Sequence, residues 1–316
     1  MTLIQLEYII AVSNLKHFAK AANFCNVTQP TLSMQIQKLE EEFEVKIFDR
    51  SKQPVIPTIL GEKIIEQAKR IIAEKENLSQ LLIQTKGETA GELKIGIIPT
   101  LAPYLLPLFL NKFIKKYPKV KLKITELNTN SIIKKLKENT IDIGILVTPL
   151  NEKVISETPL FYEELMAYIS KRNKEFNKTY MLTKDIDIKK LWLLEEGHCF
   201  RTQVLNLCEL RKNMNGESQF EYAAGSFETL RKMVDVTDGL TILPELATEY
   251  FSASEMQRIR HFKAPAPVRE ISIVLHRNYA KQQLVTILKD EILNAIPEKI
   301  KKNKKTFIVP FESKES

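Results

Sequence analysis

The chain has 316 residues, of which 44% are hydrophobic and 27% charged, so its composition excludes a wholly disordered chain and predicts two or three globular domains. There is no apolar run of membrane-spanning length, no secretory pattern at the start and too few cysteines for a disulfide scaffold, so we expect a cytoplasmic protein. The net charge of +8 does not by itself indicate DNA binding, because residues 1–90 carry equal numbers of basic and acidic residues.

Residues 3–43 have the pattern of three short helices. A first helix over 3–12 is followed by a second from Phe18 to about Phe24, and Pro30 fits the first turn of a third. The third helix has an apolar stripe at Leu32, Ile36, Leu39 and Phe43 and a polar opposite face. This pattern predicts a helix-turn-helix whose polar face enters a DNA major groove. The alternative is a plain three-helix packing unit with a solvated polar face.

A small wing is predicted after the third helix. Two short strands at 45–48 and 54–56 flank the segment Arg50-Ser51-Lys52, whose cations suit phosphate contacts.

A long helix is predicted from about residue 59, with a heptad seam that predicts a homodimer. The seam consists of Ile64, Ala68, Ile71, Lys75, Leu78 and Leu82. The alternative is that this helix packs onto its own chain. Gly87 and Gly91 then mark a hinge.

The remaining two-thirds of the chain alternates predicted strands and helices, which is typical of an α/β domain with a mainly parallel sheet. We expect strands at 93–98, 120–124, 141–146, 165–169, 191–194, 220–223, 240–243 and 271–275. The length predicts two subdomains with a ligand cleft at the carboxyl ends of strands.

Two of the three cysteines, Cys199 and Cys208, lie nine positions apart at the predicted start of a helix. His198 and Arg201 flank Cys199, and a helix N-terminus with nearby cations lowers a thiol pKa and favours the reactive thiolate. If 199–208 is helical, the two Cα atoms lie roughly 13 Å apart. A disulfide needs about 7 Å, so the pair can join only if this segment unwinds.

Other interpretations of this segment remain open on spacing alone. The two cysteines could be unrelated core residues, a zinc site that lacks a fourth ligand, or part of a nucleophilic enzyme site. The sequence contains no hydrolase, zinc-protease or nucleotide-binding motif.

The N-terminal 62 residues resemble the winged helix-turn-helix of LysR-type transcriptional regulators. The matching residues are Leu6, Phe18, Ala19, Ala21, Ala22, Val27, Thr28, Gln29, Pro30, Leu32, Ser33, Ile36, Leu39, Glu40, Phe48, Arg50, Thr58 and Gly61. The resemblance implies a dimer or tetramer on an interrupted DNA palindrome. It places Arg50 on the DNA backbone and the following residues against DNA: Gln29, Pro30, Thr31, Ser33 and Gln35. The segment 51–55 departs from the family pattern, which makes the wing contacts less defined.

Residues 1–300 resemble the hydrogen peroxide-sensing branch of the same family. The resemblance is carried by Gly197-His198-Cys199 with Cys208, by 99–100 and 103–107, by Thr129 and by 226–231. It implies that peroxide oxidises Cys199 to a sulfenic acid and that Cys208 resolves it to a disulfide. It also implies an environment for the peroxide and the thiolate formed by Thr100, Thr129, His198, Arg201 and Arg269.

The resulting prediction is an α/β regulator with a winged helix-turn-helix, a long linker helix and an effector domain like a periplasmic binding protein. The expected domains are 1–58 for DNA binding, 59–90 for dimerisation and hinge, 91–302 for regulation and 303–316 as a basic tail, read as a solvated or dimer-edge extension. Subdomain I covers about 91–163 plus 268–302, and subdomain II about 164–267.

We expect no enzyme activity, cofactor or metal. The expected partners are double-stranded DNA, a second and further copies of the chain, hydrogen peroxide as signal, and RNA polymerase. Two alternatives remain, a LysR regulator that binds a metabolite in its cleft and a thiol peroxidase that uses Cys199 catalytically.

Overall fold

The computed structural model describes residues 1–85, 89–195, 199–208, 224–277, 279, 282–303 and 307–310. The chain divides into two compact units, one formed mainly by residues 1–89 and the other by 90–277 and 283–316. Among the described residues, no helix combines the length and the apolar character that crossing a bilayer requires.

The described residues of the first unit form four helices and one short strand pair. Its elements are α1 (Leu3–Leu15), α2 (Phe18–Phe24), α3 (Gln29–Glu42), β1 (Phe48–Asp49), β2 (Ile56–Pro57) and α4 (Ile59–Thr85). The Thr28 side chain caps α3 by accepting from the Thr31 N–H, and Pro30 lies in the first turn, as predicted. The predicted wing is present as the antiparallel pair β1–β2, two residues long on each side.

The second unit is an α/β domain. Its strands are β3 (Gly91–Ile97), β4 (Val120–Glu126), β5 (Ile143–Thr148), β6 (Ile155–Ile169), β7 (Tyr180–Met181), β8 (Leu191–Trp192), β9 (Leu240–Pro244), β10 (Ile259–Phe262), β11 (Pro267–His276) and β12 (Phe307–Ile308). Its helices are α5 (Ala102–Lys116), α6 (Thr129–Lys137), α7 (Cys199–Leu207), α8 (Phe227–Val236), α9 (Ala253–Met256), α10 (Gln282–Ala295) and α11 (Glu298–Lys301). The strand predicted at 220–223 lies outside the described residues.

The sheet is mixed rather than mainly parallel, which corrects the sequence-based expectation. Strands β4, β3 and β5 pair in parallel, but β11 pairs antiparallel with both β5 and β6, and β6 pairs antiparallel with β9 and β10. The long strands β6 and β11 cause the difference, because both run through the middle of the strand order. Strand β6 exchanges its partner β11 for β9 between Glu164 and Leu165.

Two loops at the carboxyl ends of parallel strands are important for the site. Thr100 follows β3 and Thr129 follows β4, where it begins α6 after the cap residue Asn128. The carboxyl ends of neighbouring parallel strands lie at the same sheet edge, which is where α/β folds place ligands. Both threonines are buried there.

Residues 307–310, which belong to the predicted basic tail 303–316, differ from the expected solvated or dimer-edge extension. Strand β12 pairs in parallel with β11, with Phe307 opposite Pro267 and Ile308 opposite Val268. Val309 follows and is only 1% exposed. Residues 307–310 are therefore part of the packed second unit.

Candidate functional site

Cys199 is the first residue of α7 and Cys208 follows the last. The Cys208 N–H donates to the carbonyl of Val204 at 3.1 Å, which extends the helical hydrogen bonding to the second cysteine. All three cysteines of the chain are free thiols. A helical rise over nine residues separates the two Cα atoms by about 13 Å, well beyond the reach of a disulfide.

The buried face of α7 fixes this helix in the unit. Phe200, Val204 and Leu207 are buried, and the Phe200 ring meets the Phe227 ring of α8 edge-on at 4.8 Å between centroids. The Arg201 guanidinium donates to the carbonyl of Leu194 at 2.9 Å, which joins the start of α7 to the preceding strand region. His198, predicted beside the thiol, lies outside the described residues.

Arg269 of β11 is a fully buried cation in the same region, with 0% exposure. It forms an ion pair of 2.6 Å with Glu163 of β6, and the other oxygen of that carboxylate accepts from the Leu246 N–H at 3.1 Å. The guanidinium also donates to the hydroxyl and the carbonyl of Thr100, both at 3.2 Å. It lies over the Phe200 ring at 5.3 Å from the centroid, so β6, β11 and α7 meet at one charged group.

Burial raises the pKa of the Cys199 thiol, although the residue as a whole keeps intermediate exposure. Three opposing influences lower that pKa, in decreasing order the Thr129 hydroxyl, the Arg269 charge and the backbone N–H groups of α7. This corrects the expectation that the helix N-terminus and flanking cations make the net shift downward. Desolvation of the charged form outweighs these groups.

The Thr129 hydroxyl oxygen is buried and forms no well-aligned hydrogen bond within the described residues. It lies close enough to the Cys199 sulfur to lower the pKa of that thiol. The Thr100 hydroxyl accepts from Arg269 and keeps its own proton to donate. The Thr129 hydroxyl and the Arg269 guanidinium therefore act directly on the thiol, and the Thr100 hydroxyl adds a donor beside the same guanidinium.

Cys208 has a different environment. Burial alone raises the pKa of Cys208 to about 12. A thiol in such surroundings stays protonated at neutral pH and reacts poorly with an oxidant, because the thiolate is the nucleophile.

The outward face of α3 is centred differently from the sequence-based prediction. Gln29, Pro30 and Thr31 are exposed, as a DNA-facing role requires, but Ser33 and Gln35 are half-buried. The Gln35 side chain accepts from the Gln5 amide at 3.3 Å, so it is turned towards α1. Met34, which the prediction did not include, is 49% exposed, and Lys38, which the sequence places on the polar face of this helix, is exposed as well. Their position at the centre of the outward face follows from a helical wheel.

Arg50, predicted on the DNA backbone, is held beside α3. Its guanidinium pairs with the buried Glu40 carboxylate at 3.1 Å, donates to the Ser33 hydroxyl at 3.2 Å and lies over the Phe18 ring at 4.9 Å. The Glu40 carboxylate also accepts from the N–H groups of Ile47 and Phe48, so it connects α3 to the wing.

The predicted seam on α4 divides into two parts. Ala68 is 1% exposed and Ile64 is partly buried, both against the core of their own unit, so this part of the seam packs onto its own chain. This corrects the assignment of Ala68 to a dimer contact. Ile71 and Leu78 are 38% and 62% exposed and remain open to a partner, whereas the side chain of Leu82 lies outside the described residues.

Within the described part of the chain, no group of three or more His, Cys, Asp or Glu residues is arranged to hold a metal ion.

Comparison with known proteins agrees with this architecture. Residues 3–62 match the bacterial regulatory helix-turn-helix protein model of the lysR family, and residues 86–296 match the LysR substrate binding domain model. The chain belongs to the LysR family of transcriptional regulators. Within that family it groups with the OxyR proteins.

Two curated relatives and one solved structure support the grouping with the OxyR proteins. The Haemophilus influenzae hydrogen peroxide-inducible genes activator is 31% identical over 87% of this chain and 90% of its own length. The Escherichia coli K12 DNA-binding transcriptional dual regulator OxyR is 35% identical over 78% and 80%. A variant of full-length Pseudomonas aeruginosa OxyR has a TM-score of 0.73 and 32% identity, covering 94% of this chain and 99% of that one.

Membership of the LysR family distinguishes a DNA-binding regulator from an enzyme. The family consists of DNA-binding regulators rather than enzymes, and its members assemble into oligomers. The fold prediction of a helix-turn-helix followed by an α/β effector domain is confirmed.

Three further groups around Arg269 and α7 were missed by sequence reasoning. Glu163 is the partner of Arg269, Phe200 lies under that guanidinium, and the end of the chain contacts α7. The sequence does not single out Glu163, because the segment 155–169 carries three glutamates and only the structure shows that this one is fully buried. The pairings Arg269–Glu163 and Gln203–Val309 each join positions 106 residues apart, and Phe200 and Arg269 also lie on elements distant in the sequence.

Proposed function

We propose that this LysR-family regulator senses hydrogen peroxide through a reversible disulfide between Cys199 and Cys208 and controls oxidative-stress genes. The observation that carries the proposal is the pair of free thiols at opposite ends of α7, one among polar groups and the other only buried. The names of the relatives support peroxide as the signal.

The first chemical step takes place at Cys199. Its sulfur attacks one oxygen of hydrogen peroxide, the O–O bond breaks, and Cys199 becomes a sulfenic acid while water leaves. In this proposal the Thr129 hydroxyl and the Arg269 charge, which lower the pKa of Cys199 against burial, stabilise the attacking thiolate. The Thr100 hydroxyl holds the peroxide by donating its remaining proton.

The second step joins the two sulfurs. The Cys208 sulfur attacks the Cys199 sulfur, the S–O bond breaks and a second water leaves. Two thiols are oxidised while one peroxide is reduced to two waters. Because an intact α7 keeps the Cα atoms about 13 Å apart, this step requires the helix to unwind, and chemistry at one sulfur becomes a change of shape.

In this proposal, the change of shape alters how the protein contacts DNA. In this proposal α3 enters the major groove through its exposed N-terminal residues, and Ile71 and Leu78 of α4 contact a second copy. Repacking around α7 alters how effector domains associate in a dimer or tetramer. The distance between the helix-turn-helix domains of the assembly changes as a result. RNA polymerase is the proposed partner of the rearranged assembly in the cytoplasm.

The experiment treats the full-length protein with one equivalent of peroxide and measures intact mass together with operator-dependent transcription. We expect a loss of two hydrogens and a change in transcription in the native protein and in Cys25→Ser. Neither change is expected in Cys199→Ser, and Cys208→Ser is expected to stop at the sulfenic acid. A normal transcriptional response in Cys199→Ser would support a metabolite-binding regulator instead.

A further inference from the structure

The last described residues of the chain form hydrogen bonds on two sides. The Val309 N–H donates to the carbonyl of Val268 in β11 at 3.0 Å. The Val309 carbonyl accepts from the Gln203 side-chain amide of α7 at 2.9 Å. One buried residue of the chain end therefore links β11 directly to α7.

A second contact lies one turn further along α7. The Asn206 side-chain amide donates to the carbonyl of Pro310 at 2.6 Å. Gln203 and Asn206 are three positions apart, so they lie on the same side of the helix. Both lie between Cys199 and Cys208, in the stretch that must unwind before the sulfurs meet.

The other side of this link lies next in sequence to the buried cation Arg269. Val268, which accepts from Val309, directly precedes Arg269, whose charge lowers the pKa of Cys199. The end of the chain thus joins the strand that carries the buried cation to the helix that carries both thiols.

We propose that residues 307–310 are a latch that holds α7 in its helical form and slows closure of the disulfide after Cys199 has been oxidised. The proposal rests on the disulfide switch proposed above. The atoms exchanged are those of its second step, in which the Cys208 sulfur displaces water from the sulfenic acid. The latch acts on the unwinding that precedes this step, so it determines how long the sulfenic acid persists.

The test separates the two chemical steps by rapid quenching and mass analysis of the full-length protein. A variant that ends at Asn303 lacks the latch, and we expect its disulfide to close about tenfold faster, a typical effect of losing one to two hydrogen bonds. The first oxidation, followed in a Cys208→Ser background, should change by less than about twofold.

Asn206→Ala keeps the tail and removes one latch contact, so it tests the proposal even where the shortened chain folds poorly. Alanine favours a helix more than asparagine does, so helix propensity alone would slow unwinding. Faster closure in Asn206→Ala therefore supports the latch, and closure no faster than in the native protein overturns it. Thr202→Ala is the matched control on the same helix, without a described hydrogen bond to residues 307–310, and should not accelerate closure.

Combining the two changes completes a double-mutant cycle. The latch predicts that Asn206→Ala adds little to the variant that ends at Asn303, because both remove the same contact. Fully additive effects would overturn the latch. If no variant, including the native chain, forms a Cys199–Cys208 disulfide, the proposed switch itself fails, a result distinct from failure of the latch.

Discussion

The two ends of α7 carry the same functional group in different surroundings. At the first end, burial raises the pKa of Cys199, but the Thr129 hydroxyl, the Arg269 charge and free backbone N–H groups oppose it. At the other end, burial raises the pKa of Cys208 to about 12. The unpaired N–H groups of a helix lie only at its first turn, so the backbone of α7 lowers the pKa of Cys199 but not that of Cys208.

In the proposed switch, this difference sets the order in which the two thiols react. Cys199 is the one whose thiolate is stabilised by neighbours, so peroxide should react there first. Cys208 stays protonated until it leaves its buried position. Substitutions that remove one contribution to this difference show which neighbouring group stabilises which thiol.

The largest effect is expected from Arg269→Met. The Glu163 carboxylate would remain buried without its cation, so the free energy of unfolding should fall by about 3–5 kcal/mol. Oxidation of Cys199 should slow because the charge that lowers its pKa is gone, while Cys208 should be unaffected. Urea unfolding and thiol alkylation rates measure both effects.

Arg70→Met is the control for the loss of an arginine. Arg70 forms an exposed pair with Glu66 at 2.7 Å, one helical turn away, and such pairs contribute about 0.3–0.5 kcal/mol. A loss of stability in Arg269→Met no larger than in this control would contradict the buried pair.

The pH dependence of Cys199 oxidation should be steep. Because the pKa of Cys199 is raised, its thiol is mostly protonated at neutral pH and the thiolate fraction grows as pH increases towards that pKa. In the Cys208→Ser background, the rate of sulfenic acid formation should rise by about a hundredfold from about pH 6.5 to pH 8.5. A flat profile over this range would mean that the net shift is downward, as the sequence pattern alone suggested.

Thr129→Val should slow the oxidation of Cys199 by about tenfold, as expected for the loss of one hydrogen bond to a charged group. Its effect on unfolding should stay below about 1 kcal/mol, because the Thr129 hydroxyl favours the charged thiolate but makes no well-aligned hydrogen bond within the described residues while Cys199 is a neutral thiol.

Thr100→Val is the comparison for this change. Its hydroxyl accepts from the buried Arg269, so the substitution should also lower the free energy of unfolding by about 1–3 kcal/mol. Equal loss of stability in the two valine variants would show that Thr129 has a structural role instead.

The smallest effect is expected from Cys25→Ser. Burial, and then the Glu7 charge, raise the pKa of Cys25, which packs against the core of the first unit. A structural thiol of this kind is unreactive, so the substitution should change the rate of disulfide formation by less than about twofold. Kinetics of disulfide formation in the single variant check this, and a slower rate would assign Cys25 a part in sensing.

Much of the fold could be predicted because it depends on local patterns. The stripe Leu32, Ile36 and Leu39 specifies the buried face of α3, and Pro30 specifies where the helix starts. The position of Cys199 at a helix start followed in the same way from the strand before it and the apolar spacing after it. These signals lie within a few residues of the feature they predict.

The rest depends on residues distant in the sequence. The net pKa shift of Cys199 is set by how much protein surrounds the sulfur, which no neighbouring residue reveals. The Arg269 partner Glu163 and the contact of Gln203 with Val309 join positions more than 100 residues apart. The mixed sheet depends on β6 and β11 pairing antiparallel, a choice that single-strand patterns do not determine.

Unwinding of α7 on disulfide formation is the central claim. Amide hydrogen exchange of the reduced and the peroxide-treated protein tests this unwinding directly. We predict that the amides of α7, including the Cys208 N–H bonded to Val204, lose protection in proportion to the fraction of disulfide formed. A complete Cys199–Cys208 disulfide with unchanged protection across α7 would contradict the account.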